Sequence, residues 1–360
     1  MPLNLVYPNA VTQRQIAQDL IRDQEADDIT MGLLPVQQEP THYVRWYQLD
    51  NYYGIMGMRG LDGSPSKVTE VGINSYTYEP GVYGEFMTIG ERELLTRAAP
   101  LNPELPIPVT DLVAMRMKQL VARAYDRMRY NIWTLLGSGV LNIPLNGPSG
   151  AQVYQDTYNI QTLSALVPWA STATATPIQD FQRAQQLSVG HSVDFGAKSI
   201  AFMNQVTANN LLNNSNTADF GGRRTAYGAT LNNLPDAVNY FGAQNLPKPQ
   251  VFDDGYQPYS LNGPETTPSV QFVKFIPNHL VIIVGVRPGN APVGRFKQTL
   301  QAMQMGMENI GFSSSPYSFV KDFANGVNAP KEVPPKLEVH HGFNGGPVLE
   351  YPSSIVAMTV

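Results

Sequence analysis

The 360-residue chain has a formal net charge of −5 and no cysteine, and only 15% of its residues are charged. The acidic balance argues against a protein that binds nucleic acid by neutralising phosphates, and the lack of cysteine excludes disulfides, thiol nucleophiles and thiolate zinc sites. Low charge together with 29 prolines and 30 glycines indicates extended structure and a surface that partner subunits cover. The longest apolar run, "HLVIIVGV", is far below the roughly 20 residues of a membrane helix, and the first residues lack a secretory signal. We therefore predict a soluble protein made in the cytoplasm, with no membrane partner.

The first ninety residues predict a helix followed by a long two-stranded arm. Residues 12–28 have the spacing of an amphipathic helix with a narrow apolar stripe (Ile16, Leu20 and Ile21), and "MGLLPVQQEP" is typical of an extended linker. Residues 43–90 have strand-like ends around the turn cluster "DGSPS", so we predict a β-hairpin with its tip near Lys67. A hairpin of this length is only marginally stable alone and implies a partner surface.

The strongest helical pattern covers residues 108–136. Thr110 is the expected N-cap, and Gly137 and Gly139 follow the expected end. Eight apolar residues keep helical spacing along one face: Val113, Met117, Leu120, Val121, Ala124, Met128, Ile132 and Leu135. Three arginines share another face: Arg116, Arg123 and Arg127. Such a helix is roughly 40 Å long, which is more than a compact domain requires.

From about residue 176 the sequence predicts an α/β region. Helices are expected in "TPIQDFQRAQQLSV", where Thr176 is the cap and Pro177 the first helical residue, and in "QVTANNLLNNSN" and "YGATLNNLPDAVNYFG". Strands are expected in "KSIAFMN", "QVFDDGY" and "VQFVKFIPNHLVIIVGV". After residue 300 the pattern is irregular up to the last β segment.

That last segment, "KLEVHHGFNGGPVLEYPSSIVAMTV", contains two adjacent histidines. Strand alternation places four residues on one face (Leu337, Val339, His341 and Phe343), and His340 with Glu338 on the other. Because the two histidines point in opposite directions, we do not expect them to share a metal. We predict a turn at "NGGP", after which the chain returns along the long helix.

The other candidate sites also favour structural interpretations. Asp253 and Asp254 precede a glycine, as in a turn, although adjacent carboxylates could serve sugar or metal chemistry. Arg223 and Arg224 lie in "FGGRRTAYG", which is either an anion-binding loop or, as we favour, a loop that forms inter-subunit salt bridges. An aromatic cluster fits a subunit interface better than sugar stacking: Trp46, Tyr47, Tyr52 and Tyr53. No catalytic motif is present, so we predict no enzyme activity, no catalytic residue, no cofactor and no metal.

The order of elements resembles the HK97-type major capsid proteins of tailed double-stranded DNA bacteriophages, with the lambda-like layout. The stretch "FMTIGERELLTRAAPLNPELPIPVTDLVAMRMKQLVARAYDRMRYNIWTLL" carries most of the resemblance. It implies an α+β fold in five parts: an N-arm (1–40), an extended β-hairpin E-loop (41–90), a P domain with its spine helix at 108–136 (91–175), an α/β A domain (176–299) and P-domain return strands (300–360). Because the arm is short, we expect scaffolding to be a separate protein.

The resemblance implies a virion protein that self-assembles into pentamers and hexamers of an icosahedral phage head. Its partners would be copies of itself, a portal protein, a separate scaffolding protein and possible decoration proteins, with only weak non-specific contact to packaged DNA. We expect inter-subunit contacts from ten residues: Trp46, Tyr52, Tyr53, Arg59, Lys67, Arg116, Arg123, Arg127, Arg223 and Arg224. Some members form a lysine–asparagine crosslink, for which Lys67 and Asn344 are the nearest candidates here, but we do not expect one.

Two other functions remain open from the sequence. An encapsulin-like nanocompartment shell would share the fold and would enclose enzymes instead of DNA. A carbohydrate-binding or carbohydrate-active protein would use Trp46, the neighbouring tyrosines, Asp253 and Asp254, and it would be a monomer or a small oligomer.

Overall fold

The structure is a computed structural model in which most of the chain is described. The described residues are 16, 19–24, 28–49, 55–56, 58–59, 61, 64, 73–90, 93, 98–99, 102–106, 108–144, 152–215, 234–256, 272–304, 310–314, 316–322 and 336–360. Residues 16 and 19–24 are helical, in agreement with the helix predicted at 12–28. The α-helices with described bounds are α1 (Ile29–Leu33), α2 (Val109–Ser138), α3 (Pro177–Gln186), α4 (Gln205–Asn213) and α5 (Leu234–Ala243). Within these residues no helix is long and apolar enough to cross a membrane.

The strands fall into two five-stranded sheets and several two-stranded ribbons. The strands of the first half are β1 (Val36–Gln38), β2 (Val44–Leu49), β3 (Ile73–Tyr78), β4 (Gly81–Ile89), β5 (Ala98–Ala99), β6 (Asn102–Pro106), β7 (Val140–Pro144), β8 (Gln152–Thr157) and β9 (Gln161–Ser164). Those of the second half are β10 (Ile200–Met203), β11 (Lys248–Val251), β12 (Gly255–Tyr256), β13 (Val273–Lys274), β14 (Leu280–Val284), β15 (Gly294–Gln298), β16 (Leu300–Gln304), β17 (Ile310–Ser314), β18 (Tyr317–Asp322), β19 (Leu337–Leu349) and β20 (Ile355–Thr359). A mixed helix and sheet fold, as predicted, is confirmed.

The long helix α2 forms where the apolar spacing predicts it. Seven of the eight predicted stripe residues are buried, and Ala124 packs against the same core. The helix starts after Pro108 and not at Thr110, because proline already has a backbone φ of −58° and leads directly into the first turn. It continues two residues past the predicted end at 136, through Gly137, and stops at Gly139, whose φ of 70° favours glycine and whose N–H donates to the Leu135 carbonyl.

Helix α2 packs on a sheet built around β19. Strand β4 pairs along one edge of β19, while β18 and then β15 pair along the other. β1 extends the sheet by parallel pairing with β15. The face of β19 turned to α2 carries the predicted apolar set, and Leu337, Val339 and Phe343 join the core of the helix. This arrangement confirms the predicted strand alternation.

The second sheet has the order β11-β10-β14-β20-β9 and carries α3 to α5. β10 and β14 lie in the predicted strand segments, β11 (Lys248–Val251) begins two residues before the predicted one, and α3 begins at Pro177 as predicted. Its core contains Trp169, Phe181 and Phe241, and the strands β14 and β20 pass through its middle.

The predicted two-stranded arm is present at its base. β2 and β3 pair antiparallel from Val44 opposite Tyr78 to Leu49 opposite Ile73. The predicted tip at Lys67 lies outside the described residues. The last part of the segment 41–90 leaves the arm, because β4 joins β19 in the first sheet.

Several sequence expectations were wrong. The predicted linker at 31–40 is the helix α1 followed by β1, because Asp28 caps the helix and Leu34 is fully buried. The stretch after residue 300, expected to be irregular, forms the antiparallel pair β16 and β17 and then β18. β1 depends on its distant partner β15, whereas β16 and β17 pair with each other as neighbours in the chain.

The "NGGP" segment does not turn. Residues 344–347 lie inside β19, where a Cβ on Gly345 would collide with the Lys297 carbonyl and one on Gly346 with the Tyr78 hydroxyl. The glycines therefore permit close approach of neighbours within a sheet. After β19 the chain returns beneath α2, because Ile355 and Ala357 of β20 join the core of the helix. β20 also pairs between β14 and β9 in the second sheet, a position that the sequence did not predict.

Candidate functional site

The arm exposes a group of large apolar side chains. Tyr47 is 62% exposed, and four residues beyond β2 are almost completely exposed: Ile55, Met56, Met58 and Leu61. Covering each of these side chains would contribute about 1.5–3 kcal/mol. Several large apolar side chains exposed along one segment indicate a candidate interaction site. The arm is therefore the strongest candidate for a contact surface.

The root of the arm is anchored by aromatic packing. Trp46 is only 3% exposed and stacks on Tyr76 and Tyr158, with ring centroids 5.2 and 5.7 Å apart. Tyr78 meets the same indole edge-on. The ring of Trp46, one of the ten predicted contact residues, is thus covered by residues of its own chain.

The predicted arginine face of α2 forms ion pairs within the chain. Arg123 donates two hydrogen bonds to Glu85 on β4, at 2.5 and 2.8 Å, and Arg116 donates to Glu93 at 2.7 Å. The Arg127 guanidinium lies over the ring of Tyr83, 5.1 Å from its centroid. The side chains of Arg116 and Arg123 remain one-third exposed. Contacts to a second subunit by these arginines stay a prediction.

The remaining predicted contact residues are less informative. Arg59 is exposed next to the apolar group of the arm. Five others lie outside the described residues: Tyr52, Tyr53, Lys67, Arg223 and Arg224. Asn344, named above as a crosslink candidate, is 7% exposed within β19.

An ion-pair network that the sequence did not indicate joins α1 to α2. Arg129 donates to Asp28 at 2.8 Å and to Asp126 at 3.0 Å. Burial raises the pKa of the Asp126 carboxyl, although the nearby Arg129 guanidinium acts to lower this pKa. Only the i, i+3 spacing of Asp126 and Arg129 was visible in the sequence, since Asp28 lies 101 positions away from Arg129.

The two histidines occupy opposite faces of β19, as predicted. His341 is buried toward α2, and its Nδ1 lies 2.7 Å from the Ser318 hydroxyl of β18. Burial lowers the pKa of His341 to about 4, so the ring is neutral at pH 7. His340 stacks between Phe86 and Phe319 on the other face, with its Nε2 3.2 Å from Glu338.

Glu338 acts to raise the pKa of His340, and His340 in turn acts to lower the pKa of Glu338. Burial lowers the pKa of His340 against the opposing effect of Glu338. Burial also opposes ionisation of Glu338, but hydrogen bonds from Lys336 and His340 outweigh it and hold the pKa of this carboxyl below its ordinary value. These contacts give both histidines a structural role within the sheet.

Asp253 and Asp254 lie in the short connection between β11 and β12, where the structure assigns no turn. Asp253 accepts a hydrogen bond from Lys274 at 2.5 Å, which lowers the pKa of its carboxyl, and Asp254 accepts from the Gly255 N–H at 2.8 Å. In the part of the chain that the structure describes, no three histidine, aspartate or glutamate side chains gather into a metal site.

Comparison with known proteins gives a likeness of fold only. No protein-family model matches the chain, and no curated protein matches its sequence. One solved structure, assigned as the capsid protein of an Escherichia coli CFT073 prophage, shares 13% identity, covers 96% of this chain and 98% of its own, and has a TM-score of 0.57. A phage-related protein from Bordetella bronchiseptica RB50 shares 10% identity over 96% and 95% of the two chains, with a TM-score of 0.53. The predicted resemblance to phage capsid proteins is confirmed at the level of the fold.

Proposed function

We propose that this chain, whose fold is that of phage capsid proteins, is the major capsid protein of a tailed double-stranded DNA phage. In this proposal it self-assembles into pentamers and hexamers of an icosahedral head. The observation that supports the proposal most strongly is the shared fold over 96% of this chain and 98% of the prophage protein. Agreement over almost the whole length favours a shared architecture over a shared motif.

The exposed arm is consistent with this proposal. A shell subunit must place a large part of its surface in obligate contacts, roughly 2,000–5,000 Å² per pair. The apolar residues of the arm (Ile55, Met56, Met58 and Leu61) are exposed in the single subunit and would be covered in a shell. The net charge of −5 would also keep the shell wall from binding packaged DNA tightly.

The further parts of the proposal follow from the same role. We propose contacts with a portal protein, a separate scaffolding protein and possible decoration proteins, and a location in the phage head after synthesis in the host cytoplasm. The role is structural, with no reaction assigned to the chain. The division into N-arm, E-loop, P domain and A domain, with α2 as the spine helix, belongs to this proposal as well.

Particle size tests the proposal directly. The full-length chain, isolated from its native source, should sediment as a particle of hundreds of copies, and electron microscopy should reveal closed shells. A stable monomer or small oligomer would overturn the shell role and favour the carbohydrate-binding alternative. Shells from the native source that carry enzymes, without tails or DNA, would instead point to a nanocompartment.

A further inference from the structure

Strand β4 has one edge that no described strand covers. Its other edge pairs with β19 from Gly81 opposite Gly345 to Ile89 opposite Leu337. Five of its residues are exposed: Val82, Gly84, Glu85, Phe86 and Thr88. Alternate residues of a strand direct their N–H and C=O groups to the same edge, so β4 presents a row of backbone groups to solvent.

An aromatic row leads to this edge. The rings of Phe319, His340 and Phe86 stack across β18, β19 and β4, with centroids 4.6 and 5.1 Å apart and interplanar angles of 8° and 24°. These spacings match the roughly 4.8 Å between neighbouring strands, so the rings stand side by side across the sheet. The row ends at Phe86, which is 56% exposed. A further strand at the edge would cover the open side of this ring.

The edge also lacks the usual protection against pairing. Exposed edge strands commonly carry lysine, proline or a bulge. Residues 82–88 contain neither lysine nor proline, and their pairing with β19 is regular. Their one charged side chain, Glu85, points to the α2 face and is held by Arg123. Because this charge is neutralised within the subunit, it does not prevent the approach of another strand.

We propose that β4 pairs antiparallel with β4 of a second copy, about a two-fold axis at Gly84. This register places Val82 of each copy opposite Phe86 of the other, which covers two side chains that are 72% and 56% exposed. A register centred on Glu85 would instead place Val82 opposite Thr88 and Phe86 opposite Gly84, so no two large apolar side chains would cover each other. The pattern of the strand is therefore complementary to itself, as a two-fold contact requires.

The centre of this contact is suited to close approach. Tyr317 lies across Gly84 and Gly342, and a Cβ on Gly84 would come within 2.5 Å of the tyrosine hydroxyl. Two glycines meeting at the axis leave room for the Tyr317 rings of both copies. In a shell, each edge shared by two capsomers is a local two-fold contact, so the inference goes beyond the proposed function by naming a strand for that contact.

Paired cysteines test the register, since the natural chain has no cysteine. The full-length Val82→Cys/Phe86→Cys double variant should form disulfide-linked dimers on mild oxidation, because opposite residues lie about 4.5–5.5 Å apart, which suits a disulfide. Each single variant should remain uncrosslinked, because equivalent residues would be roughly 13 Å apart, four strand steps of about 3.3 Å. Non-reducing gels and mass spectrometry of the linked peptides measure the yield.

Two controls keep this test decisive. The Val82→Cys/Thr88→Cys variant should stay uncrosslinked, and it would crosslink instead if the axis lay at Glu85, which would overturn the proposed register. Circular dichroism of the reduced variants checks that they fold, and Val82→Lys, at an exposed position, should weaken the same contact without unfolding the subunit. Shells that form normally while Val82→Cys/Phe86→Cys stays uncrosslinked would overturn the inference and leave the proposed function intact.

Discussion

His341 is a buried base inside a sheet. It is 3% exposed, and burial lowers its pKa to about 4, compared with about 6.5 in an unfolded chain. Above pH 6.5 the ring is neutral in both states and contributes no pH dependence. As the pH falls from 6.5 toward 4, the unfolded chain binds a proton that the folded chain does not. The folded state therefore loses stability across this window, by on the order of 3 kcal/mol.

Replacing His341 should reduce this acid sensitivity. In the His341→Gln variant, the free energy of unfolding of the unassembled subunit should fall less steeply between pH 6.5 and 4 than in the natural chain. Denaturant titrations at several pH values measure this slope. His42→Gln, at an exposed position, serves as the control and should follow the natural chain. Equal slopes for all three proteins would contradict the assignment.

Two effects disfavour a side chain at Gly139: its positive φ and the lack of space around it. Its φ is 70°, and an added Cβ would lie 2.7 Å from the Tyr158 carbonyl. Gly190 has a φ of 85° but open space around it. Gly190→Ala should therefore cost only the backbone strain, about 1–2 kcal/mol. Gly139→Ala should cost more, because the Tyr158 backbone must also move. Chemical denaturation of both variants measures the difference in the free energy of unfolding. Equal losses of stability would show that the Tyr158 backbone moves aside at no measurable cost.

At the scale of elements, local patterns were predictable and long-range pairings were not. The stripe of α2 is helical by its own periodicity, and β2 and β3 at the base of the arm lie in the segment that its strand-like ends predict. β1 forms because residues 36–38 meet residues 296–298, some 260 positions away. The glycines of "NGGP" have the composition of a turn, and only their neighbours in the sheet give them another role. Strand alternation does separate Trp46 from Tyr47, because it places Trp46 on the face of the buried Val44 and Tyr47 on the face of the exposed Arg45.

The arm gives the clearest prediction for a single element. Replacing four exposed residues with serine (Ile55, Met56, Met58 and Leu61) should leave the subunit folded, because these side chains are 93–102% exposed and bury nothing within it. The same variant should fail to form stable shells, as should a deletion of residues 54–70. Circular dichroism and sedimentation measure folding and assembly separately. Val189→Ser, which changes an 81% exposed residue elsewhere, is the matched control and should assemble.

Normal shells from the serine variant would contradict the assignment of the arm as a contact surface. Loss of folding would contradict it differently, because it would place these residues in the core of the subunit. The two results are distinguishable since folding is measured on the unassembled protein.

At the scale of the whole molecule, two apolar cores share two strands. Alternate residues of β14 point to opposite sides, so that Ile282 joins the core beneath α2 and Ile283 joins the core of the second sheet. β20 divides in the same way, with Ile355 in the first core and Val356 in the second. Neither core can lose these strands without exposing the other. We therefore expect the two halves to unfold together, although chains of this length commonly populate intermediates.

The three tryptophans can report on this coupling. Trp46 and Trp133 lie in the first core and Trp169 in the second. With 5-fluorotryptophan in the unassembled subunit, all three fluorine resonances should disappear at one denaturant concentration. Ile282→Ala and Ile283→Ala should each lower the free energy of unfolding by about 2–5 kcal/mol, although each opens a cavity in a different core. Each variant should lower the denaturant midpoint of all three resonances by the same amount. If Ile283→Ala lowered the denaturant midpoint of the Trp169 resonance alone, the two cores would unfold independently. Cores that unfold together must lose stability together when a shared strand is weakened.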